Sequence, residues 1–469
     1  MKEAELLVIG AGPGGLAAAV EAARAGAKVT LLDENPQPGG QIYRQLPAGF
    51  RLTDPKALGR DFPRGQKLLA EFAQVRERVE YLDEALIWGV FQDSEVAFQR
   101  GQNSHSLRYR KLIVSVGAYE RPVPFPGWTL PGVLTAGGAQ RLVKIQRVLP
   151  GEKILLAGTG PLLLALANQI VDAGGQVAAI VEAGRIENWW RLARGAWGQW
   201  PLVADAWHYY RGIRQARIPL LRGHIITAAR GDGQVAEAVV AEADRQWRPR
   251  PGTARIFRVD TVCLGYGFVP SVELTRLAQC DHRYDPQRGG WIPVRNEAME
   301  TSVPGVYAAG DCTGVAGSLV AVEEGRIAGI GAAQSLGYLS AAEAHPRLEA
   351  CRRRRAGLLR LRQVLDEISM PRPGLYELAQ DDTIVCRCEE ITLGEIKKAL
   401  REGPTDMNEI KRMTRMGMGA CQGRMCAAAL QEIMAREKGV PPAELGFLNP
   451  RPPVKPVPLP VLAGHQALE

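Results

Sequence analysis

The sequence predicts an α/β protein with two dinucleotide-binding domains and a small, mainly helical C-terminal domain. Three observations carry this. A strand, glycine turn, helix, strand unit opens the chain over residues 5–33, and the same grammar returns at Lys153–Glu182. Near the C-terminus four cysteines gather as Cys386-Arg-Cys388 and Cys421-Gln-Gly-Arg-Met-Cys426. A length of 469 residues with 46% hydrophobic content supports two or three sizeable cores.

In chain order, residues 5–10 form a short apolar strand ending in Gly10-Ala-Gly12-Pro-Gly14-Gly15, and Leu16–Gly26 is an Ala-rich helical pattern. Gly10 permits the tight turn, Gly12 a close backbone approach to a pyrophosphate, and Gly15 close helix–strand packing. The phosphates are expected on the helix N-terminus. The next strand, Lys28–Asp33, ends in an acid placed to accept hydrogen bonds from ribose hydroxyls. Glu34 stands beside it, but Asp33 is preferred because it directly ends the apolar run. Gly39-Gly40-Gln41 then supplies flexible backbone where a loop can approach the cofactor.

Lys111–Gly117 is a further strand, and the Pro-rich turn Arg121–Gly127 after it marks the crossing into the second domain. There Gly158-Thr-Gly160-Pro-Leu-Leu163 departs from the fingerprint. Leucine replaces its third glycine and is expected to hold the helix further from the strand. Glu182 ends the following strand and suits a ribose 2′-OH, so NAD is expected over NADP if a nicotinamide cofactor binds. A vestigial site, or one for another adenine nucleotide, stays open. The short apolar runs Thr261–Gly267 and Val306–Asp311 read as a return to the first domain. The expected domains are therefore 1–148 with 263–345, then 149–262, an Arg-rich linker helix at 346–375, the cysteine module at 376–440, and a Pro-rich tail at 441–469.

Two close thiolate pairs provide four soft ligands, the set that an iron–sulfur cluster or a zinc ion requires. Zinc sites favour CxxC knuckles, which neither pair has, and a redox disulfide is the third alternative. Cys263, Cys280, Cys312 and Cys351 are scattered and read as small buried hydrophobes. Arg352–Arg355 reads ordinarily as a solvated face, with docking to an acidic partner as the other possibility. Trp189, Trp190, Trp197, Trp200 and Trp207, with Tyr209 and Tyr210, mark a packed cover or a subunit interface, the packed cover being the ordinary case. The tail either covers the surface or reaches a partner.

A net charge of +8 is spread along the chain without a nucleic-acid motif, so no nucleic-acid partner is expected. The start has no secretory leader pattern and no segment reads as a membrane span. The expectation is a cytoplasmic protein that meets the inner membrane only peripherally, through a complex. None of the six histidines lies in a nucleophile, HExxH or acid–base signature, so no substrate-activating base is visible and the catalytic residues stay unknown.

Thr301–Asp311, ending Ala-Ala-Gly310-Asp311, resembles the second flavin motif of two-dinucleotide-binding-domain flavoproteins of the glutathione-reductase and thioredoxin-reductase type. The resemblance implies FAD on Gly10, Gly12, Gly14, Gly15, Asp33, Glu34, Gly40, Gln41, Gly310 and Asp311. Asp311 would bond the ribityl chain. Gly117 resembles the intermediate glycine motif and Gly265–Pro270 the GxxP segment. No cysteine pair follows Gly39-Gly40 or lies in the second domain, which argues against disulfide reduction.

The surroundings of Cys386, Cys388, Cys421 and Cys426 resemble the bacterioferritin-associated-ferredoxin type of [2Fe–2S] domain. There, glycine N–H groups can bond cluster sulfur. The whole chain resembles the flavoprotein subunit of heteromeric amino-acid dehydrogenases such as hydrogen cyanide synthase, opine oxidase and D-hydroxyproline dehydrogenase. It is more distantly similar to the α subunit of heterotetrameric sarcosine oxidase. That implies a D-amino-acid-oxidase-like partner subunit, room for FMN at an interface and for a small ferredoxin-like subunit, plus a respiratory electron acceptor. A self-contained NADH:acceptor reductase and a scaffold with structural zinc are the alternatives.

Overall fold

The computed structural model describes residues 2–47, 49–50, 58–187 and 189–468. Leu6, Leu7, Val8 and Ile9 form a fully buried run, as a central parallel strand covered on both faces requires. Glu3–Ile9 pairs in parallel with Val29–Leu32 and Asn103–Val114; Val79–Leu82 and Val306–Ala308 extend the sheet outside these. Ala85–Phe91 and Glu95–Arg100 add an antiparallel hairpin on Asn103–Val114. The helix Pro13–Ala25 lies against Ser318–Ser335 so closely that a Cβ at Gly325 would overlap the Gly14 backbone.

The second domain is a five-stranded parallel sheet in the order Leu220–Arg222, Gln176–Glu182, Lys153–Gly158, Thr261–Gly265, Val133–Thr135. A three-stranded antiparallel sheet, His224–Arg230, Glu237–Glu242 and Arg255–Arg258, packs with it. Two expectations shift here. Thr261–Gly265 was expected in the first domain yet pairs with Lys153–Gly158, and Val133–Thr135 lies in the second sheet although it precedes residue 149. Both runs are short and apolar, and only their long-range pairing decides which sheet they enter.

The linker helix starts earlier than expected, at Ala341, and runs to Ser369, opened by a capping box between Ser340 and Glu343. The cysteine module contributes the helices Leu393–Leu400, Met407–Thr414 and Ala427–Lys438, the first capped by Thr392 with Glu395. Its apolar side chains form one core with the second nucleotide domain, joining Val123, Phe125 and Trp128 to Val385, Ile396, Ile410 and Leu430. The Trp128 indole donates to the Ile384 carbonyl at 2.6 Å across this seam. The tail covers the chain's own surface. Gln466–Ala467 pairs with Asn103–Val114, and the Val454 N–H donates to the Trp88 carbonyl at 2.9 Å. Among the described residues, no helix is long and apolar enough to cross a membrane.

Candidate functional site

The first loop has the close approaches that a dinucleotide cradle needs. A Cβ on Gly15 would collide with the Gly10 carbonyl, and one on Gly40 would lie 2.7 Å from the Gly12 Cα, so the Gly39-Gly40 turn presses directly on the phosphate loop. Gly14 is equally confined by the Ser115 hydroxyl. Asp33 is buried. Its Oδ2 accepts from the Ala11 N–H at 2.5 Å, and its Oδ1 accepts from the Asn35 N–H and Nδ2 at 2.8 Å. Glu34 points away into an ion pair with Lys455 of the tail, so Asp33 is the acid at the loop. Gln41 is exposed and accepts from Arg44 at 3.0 Å.

Gly310 and Asp311 come to the same end of the sheet. A Cβ on Gly310 would lie 3.6 Å from the Ser115 hydroxyl and 3.3 Å from the Ala321 Cβ. Asp311 Oδ1 accepts from the N–H groups of Ala316 and Gly317 at 2.9 and 3.0 Å, and burial pushes its carboxyl up. Around Gly117, at φ +73°, a Cβ would meet nothing within 4 Å. Glycine backbone at a helix N-terminus, the acid Asp33 and the Asp311 turn thus converge at one sheet end, and they fit a bound dinucleotide such as FAD.

The turn rests on groups that sequence reasoning missed. Glu324 Oε2 accepts from the Gly310 N–H at 3.0 Å and the Thr313 hydroxyl at 3.2 Å, while Oε1 accepts from Arg295 at 2.6 Å and Arg355 at 2.8 Å. The Arg-rich run is therefore largely spoken for within the chain. Arg354 pairs with Glu323, Arg355 with Glu324, and Arg352 with Glu349.

The second loop is built differently. Leu163 is fully buried against the neighbouring strand, where Gly265 lacks the side chain that would collide. A Cβ there would lie 3.0 Å from the Leu163 Cδ2. Glu182 folds back on the loop. Its Oε2 accepts from the Gly160 N–H at 3.1 Å and its Oε1 from the Gly184 N–H at 3.0 Å, and burial pushes its carboxyl up to about 7. The C-terminal turn of the long helix sits on the same spot. A Cβ on Gly184 would lie 2.8 Å from the Ile368 carbonyl oxygen, and one on Gly160 would lie 3.9 Å from the Ser369 Cβ. Gly158 presses on Gly265 of the neighbouring strand.

In the C-terminal module the cysteines meet as two pairs. Cys386 shares a hydrogen bond with Cys426, which brings its thiol down to about 6, helped by the N–H groups of Gly417, Glu389 and Cys388. The same bond raises Cys426. Cys421 is raised by burial and shares a hydrogen bond with Cys388, while the Met425 and Gly423 N–H groups point at its sulfur. Gly419 lets the pairs meet, since a Cβ there would collide with that of Cys388. Among the described residues no three His, Cys, Asp or Glu side chains close on a single metal-ion position. The four thiols are flanked by N–H donors that include those of Gly417 and Gly423. Cys388 is exposed, whereas Cys386 and Cys426 are buried. The other four cysteines are buried singly, as expected.

The tryptophan segment departs most from expectation. Trp189, Trp190, Trp197, Trp200 and Trp207 are 58–82% exposed, so they do not form a packed cover.

Comparison with known proteins places this geometry. The family model described as pyridine nucleotide-disulphide oxidoreductase matches residues 4–337, and that of the sarcosine oxidase A3 domain matches residues 380–465. An opine oxidase subunit of Rhizobium meliloti is 36% identical over 98% of this chain and 87% of its own length. Hydrogen cyanide synthase subunit HcnB of Pseudomonas aeruginosa is 34% identical over 96% of this chain and 97% of its own. The crystal structure of L-proline dehydrogenase from P. horikoshii superposes with a TM-score of 0.70 at 20% identity, covering 98% of this chain and 79% of that one. At that identity it speaks for the fold alone, the two-dinucleotide-binding-domain arrangement expected. The chain is a flavin-dependent oxidoreductase, and it belongs to the pyridine nucleotide-disulphide oxidoreductase family, in the group that holds HcnB and this opine oxidase subunit.

Proposed function

We propose that this chain is the FAD- and [2Fe–2S]-carrying subunit of a heteromeric amino-acid dehydrogenase that acts on an amine, imino acid or opine and relays the electrons to a respiratory acceptor. The observation that carries the proposal is the cysteine module. Cys386, Cys388, Cys421 and Cys426 are gathered beside glycine N–H groups, and Cys386 and Cys426 belong to the core that the module shares with the second nucleotide domain. FAD accepts electrons in pairs and an iron–sulfur centre passes them singly, which suits a relay between subunits. The exposed Cys388 supports an electron exit at the module's surface.

The residues proposed to hold FAD are Gly10, Gly12, Gly14, Gly15, Asp33, Gly40, Gly117, Gly310 and Asp311. The relatives are themselves named as subunits, which supports an assembly. We propose that it contains a D-amino-acid-oxidase-like flavoprotein and a small ferredoxin-like subunit, with FMN at an interface. The complex is proposed to be cytoplasmic and peripheral at the inner membrane. The second reading, an NADH:acceptor reductase, needs NAD or another adenine nucleotide to displace the helix end at Ile368 and Ser369, and that helix end weighs against it.

The test is purification of the chain with its co-purifying subunits, followed by flavin, iron and acid-labile sulfide analysis and anaerobic mixing with NADH. Two irons with matching sulfide, and no flavin bleaching by NADH, are expected. Zinc in place of iron would overturn the relay, and fast bleaching would install the reductase.

A further inference from the structure

The helices Trp189–Ala196 and Trp200–Gln215 present one continuous aromatic and basic surface. Along the second, Trp200, Val203, Trp207, Arg211 and Arg214 recur at helical spacing on the exposed side, while Asp205 and Ile213 face inward. Along the first, Trp189, Trp190 and Arg194 are exposed, and Trp197 meets Trp200 edge to face with ring centroids 5.5 Å apart. The inner side is well anchored. Arg60 and Arg64 bind Asp205, and Gly195 packs on Leu361 and Val364 of the long helix. The outer side is therefore a fixed feature of the fold.

Its charge is one-sided. From 189 to 217 the only acidic residue is Asp205, which is buried and paired inward. Arg194, Arg211, Arg214 and Arg217 are exposed, and among the described residues none of them pairs with a carboxylate. Two copies of this face would repel each other. Exposed indoles rimmed by unpaired arginines on surface helices match the boundary of an anionic bilayer, where ring bodies enter the acyl region and guanidiniums meet phosphates. Trp and Arg are also enriched at protein interfaces, but a face from 189 to 217 with no exposed acid favours the anionic surface.

We propose that this face docks the protein directly on anionic lipid headgroups. The proposal gives the peripheral membrane location proposed above a surface of its own, but its test reads lipid binding alone, so flavin and iron content do not decide it. The full chain is sedimented with phosphatidylcholine vesicles and with vesicles that also contain phosphatidylglycerol. Binding is expected only to the anionic vesicles, with release at high salt. Arg211→Gln and Arg214→Gln should each weaken it roughly fivefold. Trp190→Ser and Trp207→Ser should each weaken it roughly tenfold, with unchanged circular dichroism. Wild-type protein left in the supernatant with both vesicles would overturn the proposal, as would sedimentation that these variants do not alter. Occlusion of the same tryptophans by a co-purifying subunit in the absence of lipid would assign the face to a protein instead and overturn it too.

Discussion

Replacing Glu324 by glutamine removes the negative charge that Arg295 and Arg355 share beneath the Gly310-Asp311 turn. The Glu324 side chain is 2% exposed, and those of its partners are 10% and 23% exposed. Burial pushes its carboxyl up, but the two guanidiniums overcome this and hold it down at about 2, against an ordinary 4.5. That depression corresponds to about 3 kcal/mol. Because the folded value lies below the unfolded one, the contribution is present above pH 4.5 and is lost as the pH falls toward 2. Leaving buried guanidiniums without their carboxylate costs about 3–5 kcal/mol. For a domain of this size that is a fall in Tm of roughly 10 °C. Thermal melts of Glu324→Gln and wild type at pH 7 should show this gap, and melts at progressively lower pH should show it closing as the wild type loses its advantage. Equal melting temperatures at pH 7, or a gap independent of pH, would refute the assignment of the network as the support of the turn.

Three further outcomes are expected. Gly419→Ala drives a Cβ into Cys388 and should strip bound iron while leaving flavin content intact, as read by iron analysis and the flavin absorbance. Leu163→Ala opens a cavity against Ala136, Ile154 and Gly265 and should cost about 2–5 kcal/mol in urea unfolding, the penalty of a core leucine. Glu182→Gln tests the raised carboxyl. Since its folded value, about 7, lies above the ordinary 4.5, its contribution is present below pH 4.5 and is lost as the pH rises through 7. Urea midpoints of the variant should therefore fall less steeply than those of wild type between pH 5 and 8.

Both glycine loops were legible in the sequence because their determinants are local: a turn needing Gly10 and a strand ending in Asp33. What escaped was decided at long range. Glu323-Glu324 on a helix next to Gly325-Arg326 looks like solvated surface, and its partners Arg295 and Arg355 stand some 30 residues away on either side. The aromatic density at 189–210 was visible, but composition cannot say which side of a helix is covered. The run at 261–265 is equally suited to either sheet, so its partner was undecidable until Lys153–Gly158 was seen beside it. The cysteine module was half legible: the sequence placed glycines beside Cys421 and Cys426, whereas which cysteine meets which, Cys386 with Cys426 and Cys388 with Cys421, was decided by the fold.

The long helix Ala341–Ser369 explains why the two nucleotide loops differ. Along its first half Arg347 reaches Glu21 on the first loop's helix, and Arg354 and Arg355 reach Glu323 and Glu324. Farther on, Glu367 receives Arg191, and the Ile368 carbonyl ends over Gly184 at the second loop. The helix therefore braces the first domain through charged side chains and meets the second with its C-terminus. A helix C-terminus carries partial negative charge, which opposes a phosphate placed beside it. Both loops lead into a helix N-terminus, and in both the strand-end acid accepts a loop N–H, Asp33 from Ala11 and Glu182 from Gly160; what differs is the helix end, which adds charge of the unfavourable sign at the second. Loosening the last turn by replacing Ile368 and Ser369 with glycine, which frays a helix end, should therefore raise adenine-nucleotide affinity at the second loop, measured by calorimetry, without altering flavin content. Unchanged nucleotide affinity in that variant would show that Leu163 and Glu182, and not the helix end, keep the second loop closed.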